Sequence, residues 1–418
     1  MEKNPKRIVR SLVGATFGYT ENDLYILRSV RHFWWLYAKM FPDRTKIPVR
    51  PLAKVERQPV TPGDEVLCAR IIRAYATAVR TSGVEVATSP LWRSNIANRY
   101  SRLEQLLLAG DPKPLALALT SLFSSEFVYG IDAGNLYTGK NWKVYSLKIL
   151  DDLVSLAEYL GVAPTESGMA VIGQAFTNGT GNLISRTEQA LGVPLGFPQI
   201  AEAHGMRVGA TLLTLNSSEY AYVAHRLTRL VAERVHGSSP VSVLEIGAGY
   251  GGAAMFVAKM MGRRLGRYII ADLPIINVLQ AYFLGIVFGG EHVRLSGESD
   301  SSALFEIVPG TSVPSLGRVD VLFNENSLPE IPPPAAASYL RWATDHVAEF
   351  FFSYNHETVT PDRRGAVSTV PEMMGQAGGF SSAGRTYSWL RPGYVEEVWV
   401  SREGNQAPAV GTGAGLSL

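Results

Sequence analysis

The residues of this chain best equipped for chemistry gather in Val243-Leu-Glu-Ile-Gly-Ala-Gly-Tyr-Gly-Gly252. An apolar run meets Glu245, then a glycine-rich turn, then an apolar stretch from Ala253 that reads as a helix. Glycine lets the chain turn tightly and lets a ligand approach the backbone, while a helix start offers unpaired N–H groups. Taken alone, Gly247, Gly249 and Gly252 satisfy the G-x-G-x-x-G spacing of dinucleotide sites. Two acids shift that reading. Glu245 would repel a pyrophosphate and suits an ammonium group. Asp272, 23 residues after Gly249, ends the next apolar run, where a carboxylate can accept both hydroxyls of a ribose. One acid for an amine and one for a ribose describe S-adenosylmethionine better than NAD. Gly251 and Leu273 complete the expected cofactor set.

Methyl transfer from such a donor is an in-line displacement at an activated carbon, so the protein supplies alignment and a dry site. A hydroxyl acceptor must also lose its proton to a base, whereas a carboxylate acceptor need not. Bases belong at the carboxyl ends of parallel strands, where open α/β sheets hold ligands. His356, three residues beyond the strand-like Glu349–Ser353, is the leading candidate, and Glu330 could orient it or bind the acceptor. Asn324 ends a further strand-like run and is expected to face the cofactor, with Asn326 toward the acceptor. His204 and Arg207 are expected to reach the acceptor from the junction of the two halves. Asp272, Glu325, Glu330 and Glu357 show no spacing of a dedicated metal site, so no metal is expected. The aromatic residues Phe33-Trp-Trp-Leu-Tyr37, Trp92, Tyr129, Tyr137, Trp142 and Tyr145 suit a sugar face, a helix core or a homodimer surface.

Two kinds of periodicity must position these groups. Up to about residue 200 the apolar spacing is mostly helical, as in Leu147, Leu150, Leu153, Val154, Ala157 and Leu160. A further helix is predicted over 218–234, with Tyr220, Val223, Leu227, Leu230 and Val231 inward. From Val241 short apolar strands alternate with helices, the pattern of a parallel sheet with crossover helices. Strands are predicted at 241–246, 267–271, 292–295, 319–323, 349–353 and 394–400. The chain therefore divides into a mainly helical acceptor-binding or oligomerisation domain (1–200), an α/β domain (201–403) and a flexible tail (404–418).

With 418 residues, 46% hydrophobic and 18% charged, the chain is too apolar for disorder and too long for one ordinary α/β domain. A net charge of +2 argues against nucleic acid or an acidic membrane surface as partner. The single cysteine, Cys68, excludes an intramolecular disulfide. No signal-like apolar core or membrane-length apolar run stands out, so a cytoplasmic protein is expected.

Glu245-Ile-Gly-Ala-Gly-Tyr-Gly-Gly252 resembles motif I of class I S-adenosylmethionine-dependent methyltransferases. Ile270-Ala-Asp-Leu-Pro274 is similar to the segment after the second strand of small-molecule O-methyltransferases. Asn324-Glu-Asn-Ser-Leu-Pro-Glu330 and Tyr354-Asn-His-Glu357 resemble later motifs of a family of sugar O-methyltransferases. Upstream, Trp92-Arg-Ser-Asn-Ile-Ala-Asn98, the Gly110-Asp pair and Phe127-Val-Tyr-Gly-Ile-Asp132 resemble its helical N-terminal portion. Gly297-Glu-Ser-Asp300 matches only loosely the segment whose acid contacts adenine. The resemblance implies a Rossmann-like class I methyltransferase sheet, mostly parallel with an antiparallel last strand, behind a helical N-terminal domain. It implies an O-methyltransferase for a hydroxyl of a sugar, glycoside or related natural product. The alternatives are a carboxyl methyltransferase for a peptide or small acid, and a non-catalytic binding or scaffolding subunit.

Overall fold

The computed structural model describes residues 31–32, 47–82, 89–128, 131–132, 142–165, 173–299, 302–357 and 369–401. Phe33–Tyr37, Tyr129, Tyr137, Asp300 and the tail from 404 lie outside the described residues.

Helices dominate the first half. α1 (Pro62–Ser82) starts on a reciprocal cap: Thr61 Oγ1 accepts the Asp64 amide (3.2 Å) and Asp64 accepts the Thr61 amide (2.8 Å), with Pro62 at the first helical position. α2 (Pro90–Asn95), capped by Ser89, passes through a π-helical turn at Ile96–Tyr100 into α3 (Ser101–Ala109). α4 (Pro112–Leu119), α5 (Trp142–Tyr159), α6 (Thr180–Leu191) and α7 (Ser217–Arg234) follow. The apolar spacing makes α5 amphipathic, but the fold buries it on nearly every side, so Lys148, Asp151, Asp152, Ser155 and Glu158 lie inside. Pairing makes that tolerable: Lys148 bonds Asp152 (2.6 Å), and His32 sits between Asp151 (2.8 Å) and Glu158 (3.1 Å). A small antiparallel sheet of β1 (Leu52–Lys54), β2 (His204–Val208) and β3 (Thr211–Leu213) draws strands from both sides of the boundary expected at 200.

The second half alternates as the sequence predicts. β4 (Val241–Ile246), α8 (Gly252–Met261), β5 (Leu265–Asp272), α9 (Pro274–Phe288), β6 (Val293–Leu295), β7 (Phe305–Pro309) and β8 (Val319–Glu325) are followed by α10 (Pro333–His346), β9 (Val347–His356), α11 (Val370–Ala377), β10 (Phe380–Tyr387) and β11 (Tyr394–Ser401). The eight strands are ordered β10-β11-β9-β8-β4-β5-β7-β6. β4 to β9 pair in parallel and β11 enters antiparallel between β9 and β10. This is a Rossmann-like, mostly parallel sheet with an antiparallel last strand. Sequence periodicity misses β7, interrupted by Glu306 and ended by Pro309, and β10, an edge strand whose side chains mostly face solvent.

Strand alternation sends Val243, Glu245, Ile270 and Phe323 to one face, where α7, α8, α9 and the helical half share one continuous core. Leu244, Ile246, Leu322 and Phe351 point to the other face, under α10 and α11. Among the described residues no helix is long and apolar enough to cross a membrane.

Candidate active site

β4 and β8 are neighbours, yet the helices that follow them leave for opposite faces of the sheet, which opens a crevice at their carboxyl ends. A cavity of about 590 Å³ lies there.

Its floor is the glycine turn. Gly247 has φ +72° and its amide bonds Ala271 O of β5 (2.9 Å), which ties the turn to the neighbouring strand. A Cβ at Gly247 would collide with Ser327 Oγ, so the sharp turn and the close packing both require glycine here. Gly249 faces Ile131 across the cavity mouth, and Gly252 lets α8 pack against the Tyr220 ring. Glu245, 1% exposed, accepts one hydrogen bond from Tyr268 OH (2.7 Å) and turns toward the cavity. Burial, reinforced by the nearby Asp272, pushes its carboxyl up to about 8. Asp272 accepts the Leu273 amide and the Gln280 side chain, both at 2.7 Å. Burial raises it to about 7 against those bonds. Among the described residues neither acid is paired with a cation, so a positively charged or hydroxyl-bearing ligand would complete both.

The other end is assembled from distant segments. His356, the last residue of β9, lines the cavity with its ring edge-on to Tyr394 (5.8 Å). Burial and Arg391 lower its pKa, so the ring is neutral at neutral pH and can accept a proton. Its Nδ1 is buried with no partner among the described residues. Tyr394 OH donates to Asn326 Oδ1 (2.8 Å), and Arg391 lies over the Tyr394 ring at 4.1 Å. Asn326 adopts φ +55°, a left-handed conformation that asparagine tolerates better than most residues. Glu330 accepts the Trp92 indole N–H (3.1 Å), which fastens α2 over the cavity.

Of the site residues expected from sequence, Glu245, Gly247, Gly249, Asp272, Leu273, Asn326, Glu330 and His356 meet in this cavity. The others do not line it. Gly251 (φ +95°) is the N-cap of α8 and faces Leu284. Asn324 lies behind the wall, donating to Ile246 O (2.7 Å) and Ser327 Oγ (2.5 Å) and accepting from Asn355 (2.9 Å). Its side chain points to the face opposite Glu325, so it braces the turn rather than facing the cofactor. His204 is buried in β2 and Arg207 bonds Gln199 (2.8 Å), because β2 belongs to the small sheet. Glu298 pairs with Arg70 (2.7 Å), and Pro309, Gly310 and Thr311 line the cavity instead, at the end of the unforeseen β7. Sequence reasoning also missed Gln280, which holds both Asp272 and Gly249 O (2.9 Å). The available signal was weak: Gln280 is one of two amides, with Asn277, in the mainly apolar run of α9.

No protein-family model matches the chain, and no curated protein matches it. Solved structures similar to it include a magnesium protoporphyrin IX methyltransferase from Synechocystis, with 15% identity over 46% of this chain and 90% of that one (TM-score 0.31). A mitomycin 7-O-methyltransferase shows 12% identity over 80% of this chain and 94% of its own (TM-score 0.34). A 1,6-didemethyltoxoflavin-N1-methyltransferase from Burkholderia thailandensis, with S-adenosylhomocysteine bound, shows 18% identity over 43% and 79% (TM-score 0.30).

Proposed function

We propose that this protein is an S-adenosylmethionine-dependent O-methyltransferase acting on a hydroxyl of a sugar, glycoside or related natural product. One observation carries the reading: a single cavity joins the Glu245–glycine–Asp272 set at one end to a neutral, half-buried histidine at the other. Glu245 suits the amino group of the cofactor, Asp272 its ribose, and the backbone at Gly247 and Gly249 allows close approach. Bound there, S-adenosylmethionine would supply a methyl group already activated by its sulfonium. The protein's own residues do the rest. His356 takes the acceptor's hydroxyl proton, Glu330 and Trp92 hold the helical wall against the sheet, and the wall excludes water.

The lining also bears on the carboxylate alternative. Among the described residues it carries six carboxylates (Asp132, Glu219, Glu245, Asp272, Glu325 and Glu330) against one guanidinium, Arg391. An anionic acceptor would find one guanidinium to pair with and would further oppose ionisation of Glu245, Asp272 and Glu325. The helical half is proposed as the acceptor wall. Calorimetry with S-adenosylhomocysteine and with NADH tests the cofactor assignment, and binding of NADH alone would sink it. A labelled-methyl screen across hydroxyl and carboxylate acceptors tests the reaction; an alkali-labile product would identify a methyl ester instead.

A further inference from the structure

Three adjacent strands carry Glu245, Glu325 and His356 on the same face of the sheet. In the parallel register Glu245 is level with Phe323, and Phe323 with Phe352. Glu325 therefore stands two residues above Glu245, and His356 four above it, in steps of roughly 7 Å along the strands. Alternate residues of a strand share a face, so the three form a staircase from the glycine turn to the base.

The middle step lacks a partner. Glu325 lines the cavity, and its carboxyl makes no hydrogen bond or ion pair among the described residues. The guanidinium of Arg391 reaches Glu325 only through space, lowering its pKa somewhat, because it bonds Glu219 at 3.0 and 3.3 Å and is stacked over Tyr394. Burial, with Glu219 and Glu245 close by, drives the Glu325 carboxyl well above the usual carboxylate range. A neutral acceptor would leave this acid protonated, whereas an ammonium would let it ionise, its proton passing to solvent. An ammonium would provide the missing charge and a donor in one group. Among the described residues no three metal-binding side chains converge, which leaves an organic cation as the better fit.

We propose that the acceptor is an amino sugar or comparable amino alcohol, whose ammonium pairs with Glu325 while its hydroxyl faces His356; this rests on reading the cavity as a hydroxyl methyltransferase site. The test uses the full chain saturated with S-adenosylhomocysteine and three matched probes: the methyl glycosides of glucosamine, N-acetylglucosamine and glucose. Calorimetry should show the free amine bound at least about tenfold more tightly than either neutral probe, the scale of one charge-assisted hydrogen bond. Glu325→Gln should erase that preference, and Glu325→Asp should retain part of it, while S-adenosylhomocysteine affinity stays within about twofold in both. Equal binding of the three probes, or no saturable binding of the amine at millimolar concentration, overturns the proposal. So does a preference that survives Glu325→Gln, a Glu325→Gln protein that loses S-adenosylmethionine affinity instead, or binding of Mg²⁺ alone that this substitution abolishes. If S-adenosylhomocysteine itself fails to bind the unaltered protein, the methyltransferase reading falls with it; if it binds and only the amine preference is absent, that reading stands.

Discussion

The two ends of the cavity are built in opposite ways. At the end proposed for the cofactor, Glu245 to Gly252 and Asp272 to Pro274 come from two short stretches, each a strand running into a helix. At the end proposed for the acceptor, Trp92, Glu219, Glu325, Glu330, His356 and Arg391 come from segments spread over some three hundred residues, about three quarters of the chain. A ligand part that never changes can be held by one local motif with fixed backbone geometry. A part that varies between enzymes needs groups that can be exchanged one at a time, and loops from distant segments supply them.

If that division is correct, substitutions at the two ends should separate turnover from cofactor affinity. The largest effect is expected from His356→Ala, which should lower kcat by about a thousandfold while leaving S-adenosylhomocysteine affinity unchanged in calorimetry. In the unaltered enzyme the rate should rise with pH to a midpoint below His356's ordinary 6.5 and then level off. The variant should lose this limb, and unaltered turnover would exclude the residue as base. Next, Gly247→Ala should cost about a hundredfold in cofactor affinity, because it combines an unfavourable φ with a collision at Ser327. Retained affinity would mean the turn does not contact the cofactor.

A pH effect of intermediate size should appear in cofactor affinity. In the unfolded chain Glu245 and Asp272 ionise near 4.5 and 3.8, but in the folded cavity only near about 8 and 7. The folded state thus keeps protons that the unfolded state has released. Stability from this source is complete below about pH 4 and is lost as pH climbs to about 8. A ligand that needs both acids ionised should release up to two protons on binding, so its affinity should fall by up to about tenfold per pH unit from about 8 to about 7 and by up to about a hundredfold per unit below about 7. Calorimetry in buffers of different ionisation enthalpy measures that release, and its absence would remove Glu245 from the ammonium site. The smallest effect belongs to Trp92→Phe, which loses the indole bond to Glu330 and should raise the acceptor KM about threefold with kcat little changed. Arg207→Ala, outside the cavity, should change neither constant, and a raised KM would return that residue to the acceptor site.

What could be read in advance follows the same division. The glycine turn, its two acids and the strand–helix alternation are local: residues within a few positions of one another dictate a strand, a turn with positive φ and a helix start. His356 and Glu330 could be placed in the cavity in advance because they sit at or shortly after the carboxyl ends of strands, where parallel sheets present their ligands. Asn324 satisfied the same rule yet faces away, since a strand sends alternate side chains to opposite faces and the register with β4 and β9 was unknown. His204 looked like a site residue at a domain junction until β2 paired with β1, some 150 residues earlier in the chain.

The sequence by itself therefore determined the sheet half, its glycine turn and the acids beside it, because backbone geometry and strand periodicity act over short spans. Only the tertiary structure decided which polar residues share a cavity. It placed Arg391 against Glu219, Trp92 on Glu330 and Gln280 behind Asp272, and among the described residues it left Glu325 without an ion pair of its own. Those pairings depend on how distant segments cross, and on the burial that makes an unmatched charge costly.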